Sequence, residues 1–168
     1  MLEALKLKIL LSDEEFDKVY PLAIKKLSPR HFTSVKVSEK IVEWLNEYET
    51  HLKVIDLGCG VGKFCFALSC FTKHKISGVD YRANYIEICN RIKLKYGFKN
   101  IEFIYKNIMD LDFKEYNVFY FFNSFLELID STAKLDNENK GSPMLYSIYE
   151  TILKKKLFEM PKVTIVIT

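Results

Sequence analysis

The chain has 168 residues, of which 49% are hydrophobic and 28% are charged, and its formal net charge is +3. These values are typical of a single globular domain, and they exclude a disordered chain and a collagen-like fibre. No uncharged apolar run approaches the ~20 residues that a bilayer span requires, and the net charge is too small to indicate a nucleic-acid-binding surface.

Residues 1–50 are predicted to form a helical extension. Apolar side chains recur there at helical spacing after an acidic first turn, and Pro21 is expected to kink or divide this first stretch. The segment around Pro29 is expected to end it. Thr33 or Ser34 can then cap a second helix, whose apolar positions again recur every three or four residues.

From residue 53 onward, short β-branched or aromatic runs alternate with helical stretches. Nearly all-apolar strands separated by helices are typical of a parallel sheet that is covered on both faces. Residues 51–168 therefore predict an α/β domain, a three-layer sandwich with a mainly parallel sheet. The predicted strands are 54–57, 76–80, 101–105, 118–122 and 163–168, and the predicted helices are 63–72, 83–96 and 144–159.

The cysteines and histidines lack the spacing of a metal site. No two cysteines form a CxxC pair, and the histidines are scattered, so we expect neither a zinc site nor a disulfide framework. Reduced thiols indicate a cytoplasmic protein, which agrees with the lack of a signal-peptide pattern in the first eleven residues. The cysteines are Cys59, Cys65, Cys70 and Cys89.

A glycine-rich turn joins the first predicted strand to the helix that follows. Gly58, Gly60 and Gly62 form a GxGxG pattern, and glycines let the backbone approach a ligand closely. The following helix offers N–H groups to an anion. The dinucleotide pattern GxGxxG would need a glycine where this chain has Lys63, and a phosphate-binding P-loop is excluded because no GK[ST] follows.

An acidic residue closes the second predicted strand. Asp80 lies where a carboxylate can accept hydrogen bonds from both hydroxyls of a ribose. Together with the glycine-rich turn, Asp80 indicates a nucleoside ligand whose anionic group is smaller than a pyrophosphate. The alternative is a tight strand-to-helix turn that binds no ligand.

The run D-L-G-C-G-V-G-K-F, followed by G-V-D, resembles the class I S-adenosylmethionine-dependent methyltransferases over about residues 53–168. The resemblance implies that S-adenosylmethionine is the cofactor. In that family the glycine loop holds the methionine part, which implies Gly58 and Gly60 here. Asp56 would hold the ammonium directly or through water, and Asp80 would hold the ribose. The implied cofactor-binding residues are Asp56, Gly58, Cys59, Gly60, Asp80, Tyr81, Asn107 and Ile108.

The segment after the third predicted strand resembles a motif that contacts the adenine in this family. The resemblance implies that Asn107 lies near the adenine amino group and that Ile108 packs on the ring. The alternative for Asn107 is a loop asparagine whose side chain bonds to its own backbone.

The end of the fourth predicted strand resembles the N-P-P-[YF] or N-P-F motif of family members that methylate amino groups. The resemblance implies that Asn123 is the catalytic residue, which orients the acceptor nitrogen, and that Phe125 lines the acceptor pocket. Ser124 departs from the pattern, because those members have proline there. Glu127 offers a carboxylate for proton removal. The alternatives are a turn residue at Asn123 and a solvated loop acid at Glu127.

Many relatives place a polar turn and a helix before the first strand, as a lid over the methionine end of the cofactor. The resemblance therefore implies a lid within residues 1–50, in which His31 and Thr33 contact the cofactor carboxylate. The alternative is simple helix capping by Thr33.

The family pattern has seven strands, whereas this sequence supplies five and lacks the last two. An apolar fifth strand then lies at an open sheet edge, which natural proteins cover or charge. Three explanations stay open: a shortened chain, a partner chain such as a second copy pairing with that edge, and a reduced variant that covers the edge by other means.

These patterns predict an S-adenosylmethionine-dependent methyltransferase that acts on a nitrogen acceptor. The acceptor can be a protein, a nucleic acid or a small molecule, and no membrane partner is expected. The alternative is a non-catalytic cofactor-binding or assembly module that pairs through its fifth strand, as in a homodimer. A nicotinamide-dependent oxidoreductase is disfavoured by Lys63.

Overall fold

Five parallel strands form a single sheet. The computed structural model describes Glu3, Leu7 and residues 12–122, 124–130 and 141–168. The strands are β1 (Lys53–Leu57), β2 (Lys75–Asp80), β3 (Ile101–Tyr105), β4 (Val118–Tyr120) and β5 (Ile165–Ile167). They are ordered β3-β2-β1-β4-β5, and every neighbouring pair is parallel. The prediction of a mainly parallel five-stranded sheet is confirmed.

Helices cover both faces of this sheet. They are α1 (Asp13–Asp17), α2 (Leu22–His31), α3 (Val35–Leu45), α4 (Lys63–Phe71), α5 (Ala83–Tyr96) and α6 (Pro143–Phe158). Successive residues of β1 point to opposite faces, so Val54 packs in one hydrophobic core with Phe66 of α4, while Ile55 packs in a second core with Leu153 of α6. Two cores, one on each face, confirm the predicted three-layer sandwich.

The prolines of the N-terminal region act differently from one another. Pro21 separates α1 from α2, as predicted. The segment around Pro29 was expected to end the helix, and α2 ends close to it, at His31, with Pro29 inside its last turn. A proline near the end of a helix removes one intrahelical hydrogen bond. The next turn still closes here, since the N–H of Phe32 donates to the carbonyl of Ser28 over 3.1 Å.

Strands β4 and β5 are shorter than the predicted ranges 118–122 and 163–168. Strand β4 pairs with β1 only as far as Tyr120, which lies opposite Asp56. The chain then enters the glycine-rich turn and leaves the sheet, so β1 offers β4 no further residues to pair with. Strand β5 lies at the sheet edge beside β4, and its Val166 is 46% exposed.

The carboxyl ends of β1, β2 and β4 lie at one edge of the sheet, because the three strands are adjacent and parallel. The loops that follow them therefore converge at this edge, which is where open α/β sheets bind ligands. In the part of the chain that the structure describes, no helix has both the length and the apolar character needed to cross a membrane.

Candidate functional site

A cavity of about 210 Å³ lies at the carboxyl ends of the strands. The segment 30–33 closes one side of it, and the segment 124–128 closes another. The structure brings together here the residues that the sequence assigned to cofactor and acceptor binding, whereas Asn123 lies outside the described residues. The predicted residues on the cavity wall are Asp56, Gly58, Cys59, Gly60, Asp80, Tyr81, Asn107, Ile108 and Phe125.

Gly58 begins the glycine-rich turn in a conformation that side chains rarely adopt. Its φ angle is +84°, in the left-handed region that favours glycine. A Cβ atom at this position would lie 2.6 Å from the Cβ of Ser124. The hydroxyl of Ser124 also donates to the carbonyl of Leu57. Ser124, which departs from the proline-containing motif, therefore fastens the segment after β4 to the end of β1.

The N–H groups of the turn bond within the protein. Those of Gly58 and Cys59 both donate to the carbonyl of Val79 over 2.9 Å, and that of Gly60 donates to Asp80 Oδ2 over 3.0 Å. The N–H groups that the sequence offered to an anion belong to the following helix, so these three bonds do not test that prediction. The turn is held against the end of β2, so its contribution to a ligand site is shape and close approach.

The carboxylate of Asp80, on the cavity wall, is fixed in one orientation. It is 3% exposed, and besides the bond from Gly60 it accepts one on Oδ1 from the N–H of Arg82 over 2.8 Å. Burial raises the pKa of Asp80 to about 7, although the two backbone N–H bonds and the Arg82 charge act in the opposite direction. Each carboxylate oxygen can accept a second hydrogen bond, so both hydroxyls of a ribose could still donate to it.

Asp56 provides a second buried carboxyl group on the cavity wall. It is 5% exposed, and burial raises its pKa well above the usual range, with further contributions that include the charge of Asp80. The thiol of Cys65 donates to Asp56 Oδ2 over 3.5 Å. A buried carboxylate is costly without a positive partner, so this wall would be stabilised by a ligand that carries a cation.

Asn107 is held by both ends of its amide. Its Oδ1 accepts from the N–H of Met109 over 2.9 Å, and its Nδ2 donates to the hydroxyl of Tyr149 on α6 over 3.0 Å. The first of these bonds is the local one that the alternative interpretation anticipated. The second was not foreseen, and it fixes the orientation of the amide on the cavity wall beside Ile108.

Glu127 was expected to be a solvated loop acid, and this is wrong. It is 5% exposed, and the guanidinium of Arg82 contacts both of its carboxylate oxygens. The hydroxyl of Tyr81 donates to Glu127 Oε1 over 3.1 Å. Because 45 positions separate Arg82 from Glu127, no local sequence pattern could have revealed this pair.

The N-terminal side of the cavity contains both predicted lid residues, His31 and Thr33. The prediction that Thr33 or Ser34 caps the second helix is confirmed by Ser34, the N-cap of α3. The alternative of capping by Thr33 is wrong, because its hydroxyl lies 2.7 Å from that of Tyr120 instead. Burial lowers the pKa of His31, and the charge of Arg30 lowers it further. His31 therefore favours its neutral form more strongly than an exposed histidine does.

The cysteines of the chain are buried free thiols. Among the described residues, no group of three or more histidine, cysteine, aspartate and glutamate side chains has an arrangement that could hold a metal ion.

Three solved structures resemble this chain at less than 20% sequence identity. The YcgJ protein of Bacillus subtilis is 18% identical, with a TM-score of 0.47. The match covers 57% of this chain and 41% of the YcgJ protein. An S-adenosylmethionine-dependent O-methyltransferase of Thermotoga maritima is 19% identical, with a TM-score of 0.47. The match covers 60% of this chain and 40% of the O-methyltransferase. An RNA methyltransferase of Salinibacter ruber, solved with S-adenosyl-L-homocysteine, is 18% identical, with a TM-score of 0.46. The match covers 51% of this chain and 56% of the RNA methyltransferase. This chain thus spans about half the length of these proteins or less.

No curated protein matches this chain. A family model described as a methyltransferase domain matches residues 48–158. The match confirms the family that the glycine-rich turn and Asp80 indicated, and with it S-adenosylmethionine as the cofactor. Because the matched residues make up more than half of the sequence, the chain belongs to the methyltransferase domain family.

Proposed function

We propose that this chain binds S-adenosylmethionine in the cavity at the strand ends and transfers its methyl group to a nitrogen acceptor. The observation that carries the proposal is the convergence of two buried carboxyl groups, Asp56 and Asp80, with the glycine-rich turn around a single cavity. The family match supports methyl transfer.

The chemistry of the wall fits this cofactor. Burial raises the pKa values of both Asp56 and Asp80, which means that their charged forms lack sufficient stabilisation in the ligand-free protein. S-adenosylmethionine carries an ammonium, a sulfonium and two ribose hydroxyls. A ligand with positive charge and hydroxyl donors supplies what these carboxylates lack, whereas a pyrophosphate would add negative charge beside them.

Within this arrangement, Asp56 holds the ammonium and Asp80 accepts hydrogen bonds from the ribose hydroxyls. Ile108 packs on the adenine, and Asn107 bonds to its amino group in the orientation fixed by α6. Tyr81, on the cavity wall directly after Asp80, adds to the adenosine side. The remaining cofactor residues are Gly58, Cys59 and Gly60, whose turn makes room for the methionine part.

Residues 1–50 act as the lid of this site, and residues 51–168 form the cofactor-binding domain. Because His31 and Thr33 line the cavity, we place them at the cofactor carboxylate. Closure of this side excludes water, which strengthens the electrostatic interactions inside.

The acceptor side is lined by aromatic rings. Phe122 and Phe125 both line the cavity, and the ring of Phe125 lies 5.0 Å from that of Phe121. When bound, the cofactor supplies a methyl group that its sulfonium makes electrophilic, so the chain has to align the acceptor and keep the site dry. We assign alignment to Asn123, on its resemblance to the asparagine of amino-methylating relatives, and the apolar wall to Phe125.

Calorimetric titration with S-adenosylmethionine and S-adenosylhomocysteine tests the cofactor site. We expect both to bind, and Asp80→Ala to weaken binding by about 1–3 kcal/mol because ribose hydrogen bonds are lost. Folded wild-type protein that binds neither compound would refute the proposal. Transfer of a labelled methyl group to amine-containing peptides, RNA, DNA and small amines then identifies the acceptor, and labelling of oxygen or carbon acceptors alone would refute the nitrogen assignment.

A second candidate is a non-catalytic module that pairs with a second copy through β5. The observation that favours it is the apolar edge strand β5, whose Val166 is 46% exposed, and the turn before it, whose Val163 is 84% exposed. Molecular mass in solution, measured beside methyl transfer, separates the two candidates: a monomer contradicts the module, and a dimer without transfer contradicts the enzyme. The buried free thiols support a reducing compartment such as the cytoplasm for either candidate.

A further inference from the structure

Two buried charged residues, Arg82 and Glu127, lie on the cavity wall and have no role in the cofactor binding proposed for this site. Arg82 is 4% exposed and Glu127 is 5% exposed. Arg82 lies two residues after the ribose carboxylate Asp80, whereas Glu127 lies in the short helical turn Leu126–Leu128 that follows β4. Their ion pair therefore joins the ribose side of the cavity to the acceptor side.

Within the part of the chain that the structure describes, the guanidinium of Arg82 has two acidic neighbours and lies closer to one of them. One terminal nitrogen contacts both oxygens of Glu127, whereas the other is 3.7 Å from Asp80 Oδ1. The ring of Tyr81 lies 4.4 Å from the guanidinium, and its hydroxyl donates to Glu127. Aromatic contact and the Glu127 carboxylate together hold the guanidinium away from a close pairing with Asp80.

This division matters because Asp80 has limited capacity to accept hydrogen bonds. Each of its oxygens already accepts one backbone N–H, from Gly60 and from Arg82 itself. A carboxylate offers about four acceptor sites in all, so about two remain for the ribose hydroxyls. A guanidinium that turned onto Asp80 would occupy them, since its planar fork matches a carboxylate with two parallel bonds.

We propose that Glu127 is a positioning residue for cofactor binding, which holds the Arg82 guanidinium so that Asp80 stays open to the ribose. This inference rests on the proposed function, because it assumes that Asp80 binds a ribose. It assigns to the segment after β4 a role on the cofactor side of the site, in addition to its contact with the acceptor side.

Calorimetric titration with S-adenosylhomocysteine and its 2′-deoxy analogue tests the inference on the full chain. For Glu127→Gln we expect about a tenfold loss of S-adenosylhomocysteine affinity, the equivalent of one good hydrogen bond, and a much smaller loss for the 2′-deoxy analogue. The double variant Arg82→Gln/Glu127→Gln should recover to within about threefold of wild type, because the competing guanidinium is gone. The control is Glu87→Gln, which removes a carboxylate that is 71% exposed and 3.9 Å from Arg91 and should leave both affinities unchanged.

A purely structural role for Glu127 would weaken both ligands equally and would not be rescued by the second substitution. Equal losses, an unaltered Glu127→Gln variant, or a double variant as weak as the single one would each overturn the inference while leaving the proposed function intact. Wild-type protein that binds neither ligand would overturn both. If circular dichroism shows that Glu127→Gln does not fold, the double variant decides, since replacing both members of a buried pair is often tolerated. A loss of S-adenosylhomocysteine affinity well beyond threefold in the double variant would then overturn the inference.

Discussion

The ammonium group of Lys63 lies 2.8 Å from a carboxylate oxygen of Asp17, and Lys63 is only 2% exposed. The same ammonium is 2.7 Å from Asp13 and donates to the hydroxyl of Ser28 over 2.8 Å. Asp13 in turn accepts from the N–H of Val35. The residue that replaces the third dinucleotide glycine therefore fastens the first turn of α4 to α1, to α2 and, through Asp13, to α3. The cavity-wall segment 30–33 lies where α2 meets α3.

Replacement of Lys63 by methionine is expected to destabilise the protein by about 3–5 kcal/mol, because it leaves a buried carboxylate at Asp17 without its positive partner. Urea denaturation followed by circular dichroism measures the change. The control is Lys154→Met, since Lys154 pairs with Glu150 on α6 but is 71% exposed, and a surface pair contributes about 0–1 kcal/mol. Equal effects of the two substitutions would contradict the buried-network interpretation.

Gly58→Ala should destabilise the protein more than Gly97→Ala does. Both glycines have positive φ angles, +84° and +78°, but a Cβ at Gly97 meets nothing within 4 Å, whereas one at Gly58 meets Ser124. Each substitution therefore has a backbone cost of about 1–2 kcal/mol. At Gly58 the contact with Ser124 adds about 1–3 kcal/mol.

Thermal and urea denaturation of both variants measure this difference. In a Ser124→Gly background, Gly58→Ala should destabilise the protein no more than Gly97→Ala does, because the obstructing side chain is gone. A larger effect of Gly58→Ala that persists there would show that Ser124 is not its cause.

Much of the fold and part of the site could be predicted because the relevant signals are local. The glycine-rich turn, Asp80 at the end of β2 and Asn107 after β3 each belong to a short strand-and-loop pattern. Since adjacent parallel strands end at the same edge of a sheet, three local patterns were enough to place these residues around one cavity.

The contacts that were missed join segments distant in the sequence. Glu127 lies within a polar, loop-like context, and its burial depends on Arg82, 45 positions earlier. The lysine at position 63 could be seen to disfavour a dinucleotide, but its partners Asp13 and Asp17 lie in a different helix from its own. Periodicity and spacing describe one element at a time, so they do not indicate which charged residues of different elements meet.

The contribution of Asp80 to the stability of the ligand-free protein should fall as the pH rises from about 4 to about 7. The pKa of Asp80 is about 7 in the folded protein, against 3.8 in a model peptide, so in this interval the folded state binds more protons than the unfolded state. The free energy of unfolding then decreases with increasing pH. Asp56, whose pKa is also raised by burial, contributes in the same direction.

Urea denaturation at several pH values between 4.5 and 7 measures this slope. The fall of stability with pH should be less steep in Asp80→Asn than in wild type, because a carboxyl group with a raised pKa has been removed. Saturating S-adenosylhomocysteine should also reduce the slope, since a bound ligand stabilises the charged carboxylates. A wild-type slope identical to that of Asp80→Asn would contradict the raised pKa of Asp80.

Tyr149→Phe should weaken cofactor binding although its ring stays in place. The hydroxyl of Tyr149 accepts the bond from Asn107 Nδ2, and its loss releases one of the two restraints on that amide. We expect S-adenosylhomocysteine affinity to fall by about 0.5–1.5 kcal/mol, the net value of one hydrogen bond. An analogue that lacks the 6-amino group of the purine should bind the variant and the wild type equally.

Calorimetry on both ligands measures this effect, with Tyr146→Phe, which alters another tyrosine packed against the same core from α6, as the matched control. If Tyr149→Phe weakened both ligands equally, Tyr149 would be supporting the wall of the cavity in general. If it weakened neither, the adenine amino group would not depend on Asn107. Selective loss for the ligand with the amino group is expected because the Tyr149 hydroxyl acts on the adenine only through the orientation of the Asn107 amide.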